Sequence, residues 1–410
     1  MKRNVALAMV CSIVLALSVH AQDCRDIRLL AAHERITTAG IDTNGHWFAI
    51  TQPFEQMVGL IIDGIPLGPF ESALQPQFTF DGSTFFAGVK ILGQWSLLTR
   101  TDTIALAGDM LYDVRLATMA SVAWWHHGNG DDHRISTRTT TYRCSRIPQM
   151  IHTDPSGAVV AWIESTGTID VLMRNGIEVA RGEQILVAGV WADGSIVYAT
   201  RIGERWSVLV GEDVIAQGLI NVADLQTNVA GTACAFHASD GTGLARMYLY
   251  SADMRQPWTS QPCDNITGLV IAPYEPLAAA IVNRNGNRSV SFNGTEYPAG
   301  RQTSPIRFTP DGSIMVYAGF DGEHFVTLNG KQHRVSGAVN LRVPLAVDET
   351  GTSVAWASST TLAKAQLEQN ILRLGKMCDS MLSVVYNRSK NVFQGLGYMG
   401  RHLFLLECKP

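Results

Sequence analysis

The densest run of side chains able to do chemistry is Trp124-Trp125-His126-His127-Gly128-Asn129-Gly130-Asp131-Asp132-His133. Imidazole nitrogens and carboxylate oxygens are ligands for zinc, nickel and copper, so His126, His127, Asp131, Asp132 and His133 form a candidate metal set. The competing reading is a solvated hairpin tip. Gly, Asn and Asp are the residues a tight turn requires, and this run has no fixed i, i+4 pair on a helix to bring its ligands onto one ion.

The remaining motifs narrow the chemistry by exclusion. Asp240, Asp321 and Glu323 sit in polar loops, but none of these loops carries the alternating oxygen series closed by a glutamate that a calcium loop needs. The chain has no G-x-S-x-G elbow, no H-E-x-x-H, no phosphate loop and no dinucleotide fingerprint. No catalytic residue and no cofactor is therefore assigned from sequence. Trp95 and Trp206 recur at one position of a repeat described below, and Trp162 and Trp356 at another, which points to packing. Adjacent Trp124 and Trp125 point to opposite faces of a strand, which offers one of them to a sugar or a partner.

Composition and the chain ends set the compartment. Met1-Lys2-Arg3-Asn4, an apolar run from Val5 to Val19 and the small residue Ala21 have the three parts of a secretory signal. The expected organisation is a signal peptide over 1–21 and one repeat domain over 22–410. The apolar run is shorter than the roughly 20 residues that cross a bilayer, so no membrane span is expected. Removing Lys2 and Arg3 leaves 30 basic against 36 acidic residues, a formal charge of −6. A mildly acidic chain without a basic run has no electrostatic footprint for nucleic acid. Cys24, Cys144, Cys234, Cys263, Cys378 and Cys408 remain after cleavage, an even number that favours disulfides in an exported chain.

The elements that position these residues come from a repeat. A turn rich in Asp, Asn and Gly, followed by a short apolar or alternating strand, recurs at Asn44-Gly45, Asp81-Gly82, Ser156-Gly157, Asp193-Gly194, Asp311-Gly312 and Thr350-Gly351. Several copies lie about 37 residues apart, and weaker ones fall near Met119-Ala120, Ala230-Gly231, Glu275-Pro276 and Lys390-Asn391. Each of the ten units has room for four short strands and tight turns. Such a unit cannot bury both faces alone, so face-to-face stacking around an axis follows. Thr361 to Lys376 also has helix formers at near-helical spacing; the repeat requires strands there.

Phe308-Thr309-Pro310-Asp311-Gly312, with looser relatives at 78–82, 154–157 and 191–194, resembles the turns of WD40-like and TolB-type bacterial β-propellers. The resemblance implies an all-β propeller and says little about activity. The expected fold has about ten four-stranded antiparallel blades, the alternatives being two smaller propellers or 7 to 8 blades with degenerate units. The last unit supplies three strands, so the segment from Cys24 to Leu30 is expected to complete it and close the ring, with Cys24 bonded to Cys408. Cys234 and Cys263 are the candidate bridge within one unit. The expected function is that of a monomeric, non-catalytic, periplasmic or secreted scaffold binding a protein or glycan of the cell envelope through its loop face. The alternative is a propeller hydrolase or lyase with polar groups converging at the central channel.

Overall fold

Glycines held at positive φ in the repeat turns, such as Gly45 (φ 82°), Gly194 (φ 83°) and Gly312 (φ 81°), let the chain reverse where a Cβ would strain it. Between these turns, β-branched and aromatic residues drive the intervening segments into strands. A computed structural model describes residues 24–30, 35–42, 44–54, 56–79, 82–106, 110–116, 123–137, 139–309, 311–335, 337–358, 361–366, 371–400 and 402–410. The expected leader at 1–21 lies outside them. Every regular element among the described residues is a β-strand, and no helix there is long and apolar enough to cross a membrane.

The strands form ten antiparallel sheets; nine are built from strands consecutive in the chain, the tenth borrows the N-terminal strand, and in two of them the first strand is split into two short segments that pair with the same neighbour. Blade 1 covers 36–70, blade 2 72–105, blade 3 110–144, blade 4 148–182 and blade 5 184–219. Blade 6 covers 221–259, blade 7 265–298, blade 8 302–334, blade 9 346–377 and blade 10 380–408. The first strands of neighbouring blades, such as Pro148–Thr153, Gln184–Val190 and Asn221–Thr227, approach one another and so surround the axis. Fourth strands such as Ile177–Gly182 are largely exposed and form the rim. Turns between strands one and two then lie on one face of the ring. Turns between strands two and three lie on the other, together with the connections between blades; this is the loop face.

Each of the ten seams between successive blades has its own apolar core. Phe48, Leu60, Phe85 and Val89 join blades 1 and 2, and Val316, Val326, Val354 and Trp356 join blades 8 and 9. A buried aliphatic or aromatic side chain contributes about 1.5–3 kcal/mol, so a seam of six contributes on the order of 10 kcal/mol against chain entropy. The recurrent tryptophans belong to these seams: Trp95, Trp162, Trp206 and Trp356 are all buried. Trp124 is buried as well, against blade 4, while Trp125 packs towards blade 2. The segment with helical spacing forms the strands Thr361–Gln366 and Ile371–Met377, because pairing within blade 9 outweighs the few tenths of a kcal/mol per residue of local propensity.

Blade 10 is completed by the strand Cys24–Leu30, which pairs antiparallel with His402–Cys408. Cys24 stands opposite Cys408, and the two form a disulfide with their Cα atoms 4.1 Å apart. Leu30, Trp47, Ile61, Leu396 and Leu403 then fill the seam between blades 10 and 1. A polar chain running inward from the surface at Arg25 to buried Glu407, Gln394 and Asn387 reinforces the closure. Arg25 Nε donates to Glu407 Oε2 at 2.7 Å, Gln394 Nε2 donates to Glu407 Oε1 at 2.7 Å, and Asn387 Nδ2 donates to the Asn44 carbonyl at 2.7 Å. Burial pushes the Glu407 carboxyl up, but the hydrogen bonds from Gln394 and Arg25 and the charges of Arg25 and Lys390 outweigh it and hold the group below the usual glutamate range.

The expected Cys234–Cys263 bridge is not formed; both are buried thiols, as are Cys144 and Cys378. Cys234 faces the seam with blade 5, beside Trp191, Val197 and Val210. Cys263 faces the seam with blade 7, beside Met247, Leu249 and Ile266. One sheet therefore stands between the two sulfurs, and alternation along the pleat put them on opposite faces.

Candidate functional site

The candidate metal ligands of blade 3 lie on a hairpin, Ala123–Asn129 and Asp132–Ser136, turned by Gly130 at φ 59° and Asp131. Its register pairs His126 with Ile135, His127 with Arg134 and Gly128 with His133. His126 and His133 therefore share the face towards blade 4, with His126 Nε2 and His133 Nδ1 3.2 Å apart. Tyr112 stacks on His126 with ring centroids 4.6 Å apart. His127 points the other way and pairs through Nε2 with Ser136 Oγ at 2.8 Å; Ser136 Oγ in turn lies 2.8 Å from Thr141 Oγ1. Asp132 is held by Arg134 at 2.6 Å and Arg143 at 3.2 Å, and the hydrogen bond from Arg134 leads in lowering its pKa. Asp131 is exposed at the tip. The fold thus gathers two of the five candidate ligands. Among the described residues no group of three or more His, Cys, Asp or Glu side chains is placed to hold an ion.

His126 opens onto a cleft of about 630 Å³ between blades 3 and 4, lined also by Tyr112, Asp113, Arg115, Met150 and His152 among others. Burial, with the neighbouring His133 and His127, pushes His126 down to about 4. Burial and then the Arg115 guanidinium push His152 down to about 4. Both rings are neutral at pH 7, and each is able to accept a proton or a hydrogen bond.

Two further features have no local signature in the sequence. The first is apolar exposure on the loop face. Ile91 and Leu92 of blade 2, Met110 of blade 3, Ile169 of blade 4, Ile202 of blade 5 and Leu244 of blade 6 are exposed there, with Ile147 and Ile220 on the connections into blades 4 and 6. Leu92 is 94% exposed and Ile202 71%. Single exposed aliphatic residues are ordinary on a protein surface. Here those at the tips and connections of the loop face fall on five consecutive blades; among the described residues of blades 7 to 10 and 1, Leu382, inside the first strand of blade 10 and 39% exposed, is the nearest counterpart.

The second is a cavity of about 630 Å³ at the axial end of the strand one to two turns. Its wall draws on blades 1, 6, 7, 8, 9 and 10, through residues including Ile41, Val229, Pro273, Phe308, Leu345 and Val384. The turns crowd together at this end. Ala230 N donates to the Pro273 carbonyl at 3.1 Å, Ala192 N donates to the Gly231 carbonyl at 2.9 Å, and Arg388 of blade 10 pairs with Glu349 of blade 9. The Arg307 guanidinium stands in the cavity with no hydrogen-bond or ion-pair partner among the described residues. Its surface is accessible, yet the surrounding protein lowers its pKa through desolvation, as expected for a cation in a walled space. Asp42 Oδ2 and Ser383 Oγ, of two other wall residues, are buried without a hydrogen-bond partner.

Ten four-stranded blades, ten seams and a closing N-terminal strand define a ten-bladed β-propeller. No family model matches the chain and no curated protein matches its sequence. Solved structures similar to it include an oligogalacturonate lyase in complex with manganese, at 10% identity over 94% of this chain and 98% of that one, with a TM-score of 0.42. A eukaryotic initiation factor matches at 10% identity over 85% and 90%, with a TM-score of 0.45. TolB from Acinetobacter baumannii matches at 14% identity over 60% and 63%, with a TM-score of 0.28. At these values no activity transfers, and the propeller assignment rests on the strand pairing and seams described above.

Proposed function

We propose that this chain is an exported scaffold that binds a protein of the cell envelope through the loop face of blades 2 to 6. The observation that carries this reading is the confinement of exposed aliphatic side chains to that half of the face. Burying such side chains against a partner is favourable by about 25 cal/mol per Å². Aliphatic rather than aromatic exposure favours a protein over a glycan, since sugars pack on aromatic faces. The export reading is supported by the leader pattern at 1–21 and by the Cys24–Cys408 disulfide.

The test is an affinity comparison using envelope extract and three versions of the mature protein: native, Leu92→Asp with Ile202→Asp on the loop face, and Ile177→Asp with Val214→Asp at the outer strands. Partner retention should fall at least tenfold for the loop-face variant alone, with melting temperatures unchanged. Equal retention by all three would remove the basis of the reading.

The second reading, a hydrolase or lyase, has one observation in its favour: neutral His126, Tyr112 and the Asp113–Arg115 ion pair of 3.1 Å face the same cleft. Turnover of ester or uronate substrates that His126→Gln abolishes without loss of fold would establish it.

A further inference from the structure

We propose that the cavity at the turn end of the axis is a binding site for a small organic anion, one with an apolar body and a carboxylate or sulfonate that pairs with Arg307. This does not depend on the partner-binding reading, because the cavity opens at the opposite face from the apolar half-ring.

Three observations converge. First, Arg307 is a solvent-accessible guanidinium set in a mostly apolar wall, and a cation there with no carboxylate on it is free to pair with an anion. Arg307 has none, although Asp311 and Glu349 lie on turns at the same end of the ring and are engaged elsewhere. Asp311 Oδ2 accepts from Ser313 Oγ, and Glu349 pairs with Arg388. Second, the remaining wall is what a drug-sized ligand takes: about 630 Å³ and mostly aliphatic, with Phe308 and Tyr386 also lining it. Third, Ser383 Oγ and Asp42 Oδ2 are buried polar atoms lacking partners at that wall, and a ligand hydroxyl or amide supplies what each lacks. Lys would serve less well than Arg here, because only the planar guanidinium meets a carboxylate with two parallel N–H donors.

Charge around the site sets the ligand's sign. Asp42 is the acidic residue of the wall, and its own oxygen Oδ1 already accepts the Asn44 and His46 backbone N–H groups. Burial raises the Asp42 pKa, so the wall opposes a second negative charge there and leaves the anion to Arg307. The residues come from six blades, and a ligand bridging them would tie the two ends of the ring together.

The experiment uses two fluorescent probes that share an apolar ring system and differ in charge: 8-anilino-1-naphthalenesulfonate, an anion, and N-phenyl-1-naphthylamine, which is neutral. Each is titrated into the folded mature protein and into its Arg307→Gln, Arg307→Lys and loop-face Leu92→Asp variants. The expected result is saturable binding of the anion near one per chain. Arg307→Gln should weaken it at least tenfold, Arg307→Lys by a smaller factor, and Leu92→Asp should leave it unchanged. The neutral probe should bind all four proteins within about twofold. The proposal is overturned if the anion fails to saturate, if Arg307→Gln leaves its affinity unchanged, or if the neutral probe loses affinity in parallel. Loss on Leu92→Asp would place the probe on the loop face and overturn it equally.

Discussion

Replacing Cys24 and Cys408 together by serine removes the covalent closure of the ring and leaves every other contact of the seam in place. The bond spans a sequence separation of 384. The chain-entropy relation for a cross-link closing a loop of that size gives roughly 20 cal/mol/K, or about 6 kcal/mol at 25 °C. Residual compactness of the unfolded chain lowers this, so the expected loss is about 3–5 kcal/mol. The folded ring should persist, because Arg25 to Glu407 at 2.7 Å and the apolar seam of Leu30, Trp47, Ile61, Leu396 and Leu403 do not involve the sulfurs. The buried thiols Cys144, Cys234, Cys263 and Cys378 are common to both proteins and cancel in the comparison.

The assay is urea unfolding followed by tryptophan fluorescence, with hydrodynamic radius measured in buffer. The double variant should show a lower midpoint and a steeper denaturant dependence, since an unfolded chain freed of its cross-link exposes more surface. Its native radius should match that of the bonded protein. Unchanged midpoint and slope would refute the closure, and an expanded native state would show that the bond, rather than the strand pairing, holds the ring.

Acid should weaken the packing around His126, between blades 3 and 4, and around His152, which also meets the Val187 backbone of blade 5. His126 and His152 titrate near 4 when folded, against about 6.5 unfolded. The unfolded chain binds the protons first, so this stability is present above pH 6.5 and lost as the pH falls towards 4. The loss is on the order of 2 kcal/mol per ring by pH 5. His126→Gln should therefore narrow its stability gap to the native protein by about that amount between pH 8 and pH 5, and a constant gap would contradict the assignment. Gly45→Ala should destabilise far more than Gly130→Ala. Both glycines have positive φ, which costs about 1–2 kcal/mol for alanine. At Gly45, however, the added Cβ would land on the Asn387 and Gln394 side chains of the closure network, whereas at Gly130 it meets nothing within 4 Å. Equal melting temperatures for the two variants would show that the network contributes nothing.

The fold was legible because it is periodic. Turn glycines at near-constant spacing and alternating strands report local geometry, and local geometry repeated ten times leaves one way to bury both faces of each sheet. The same register foretold the strand Cys24–Leu30 and its bond to Cys408, because a unit lacking one strand has to find it at the other end of the chain. Within a blade, sequence spacing misplaces Cys234 and Cys263, since closeness in sequence says nothing about which face of a twisted sheet a side chain takes. The hairpin at 123–136 was similarly half legible. Its turn was plain from Asn129-Gly130-Asp131, but only the cross-strand register shows that His126 meets His133 while His127 departs to Ser136.

The sequence by itself thus determined the class of element, the number of units and the closing partner, all of which are encoded within about forty residues of one another or at the two ends. The tertiary structure alone decided what converges at the axis and on each face. Arg307, Asp42 and Ser383 come from blades 8, 1 and 10, and the aliphatic half-ring comes from five blades. No motif records such gatherings, because closure of the ring, and not the spacing along the chain, brings their members together.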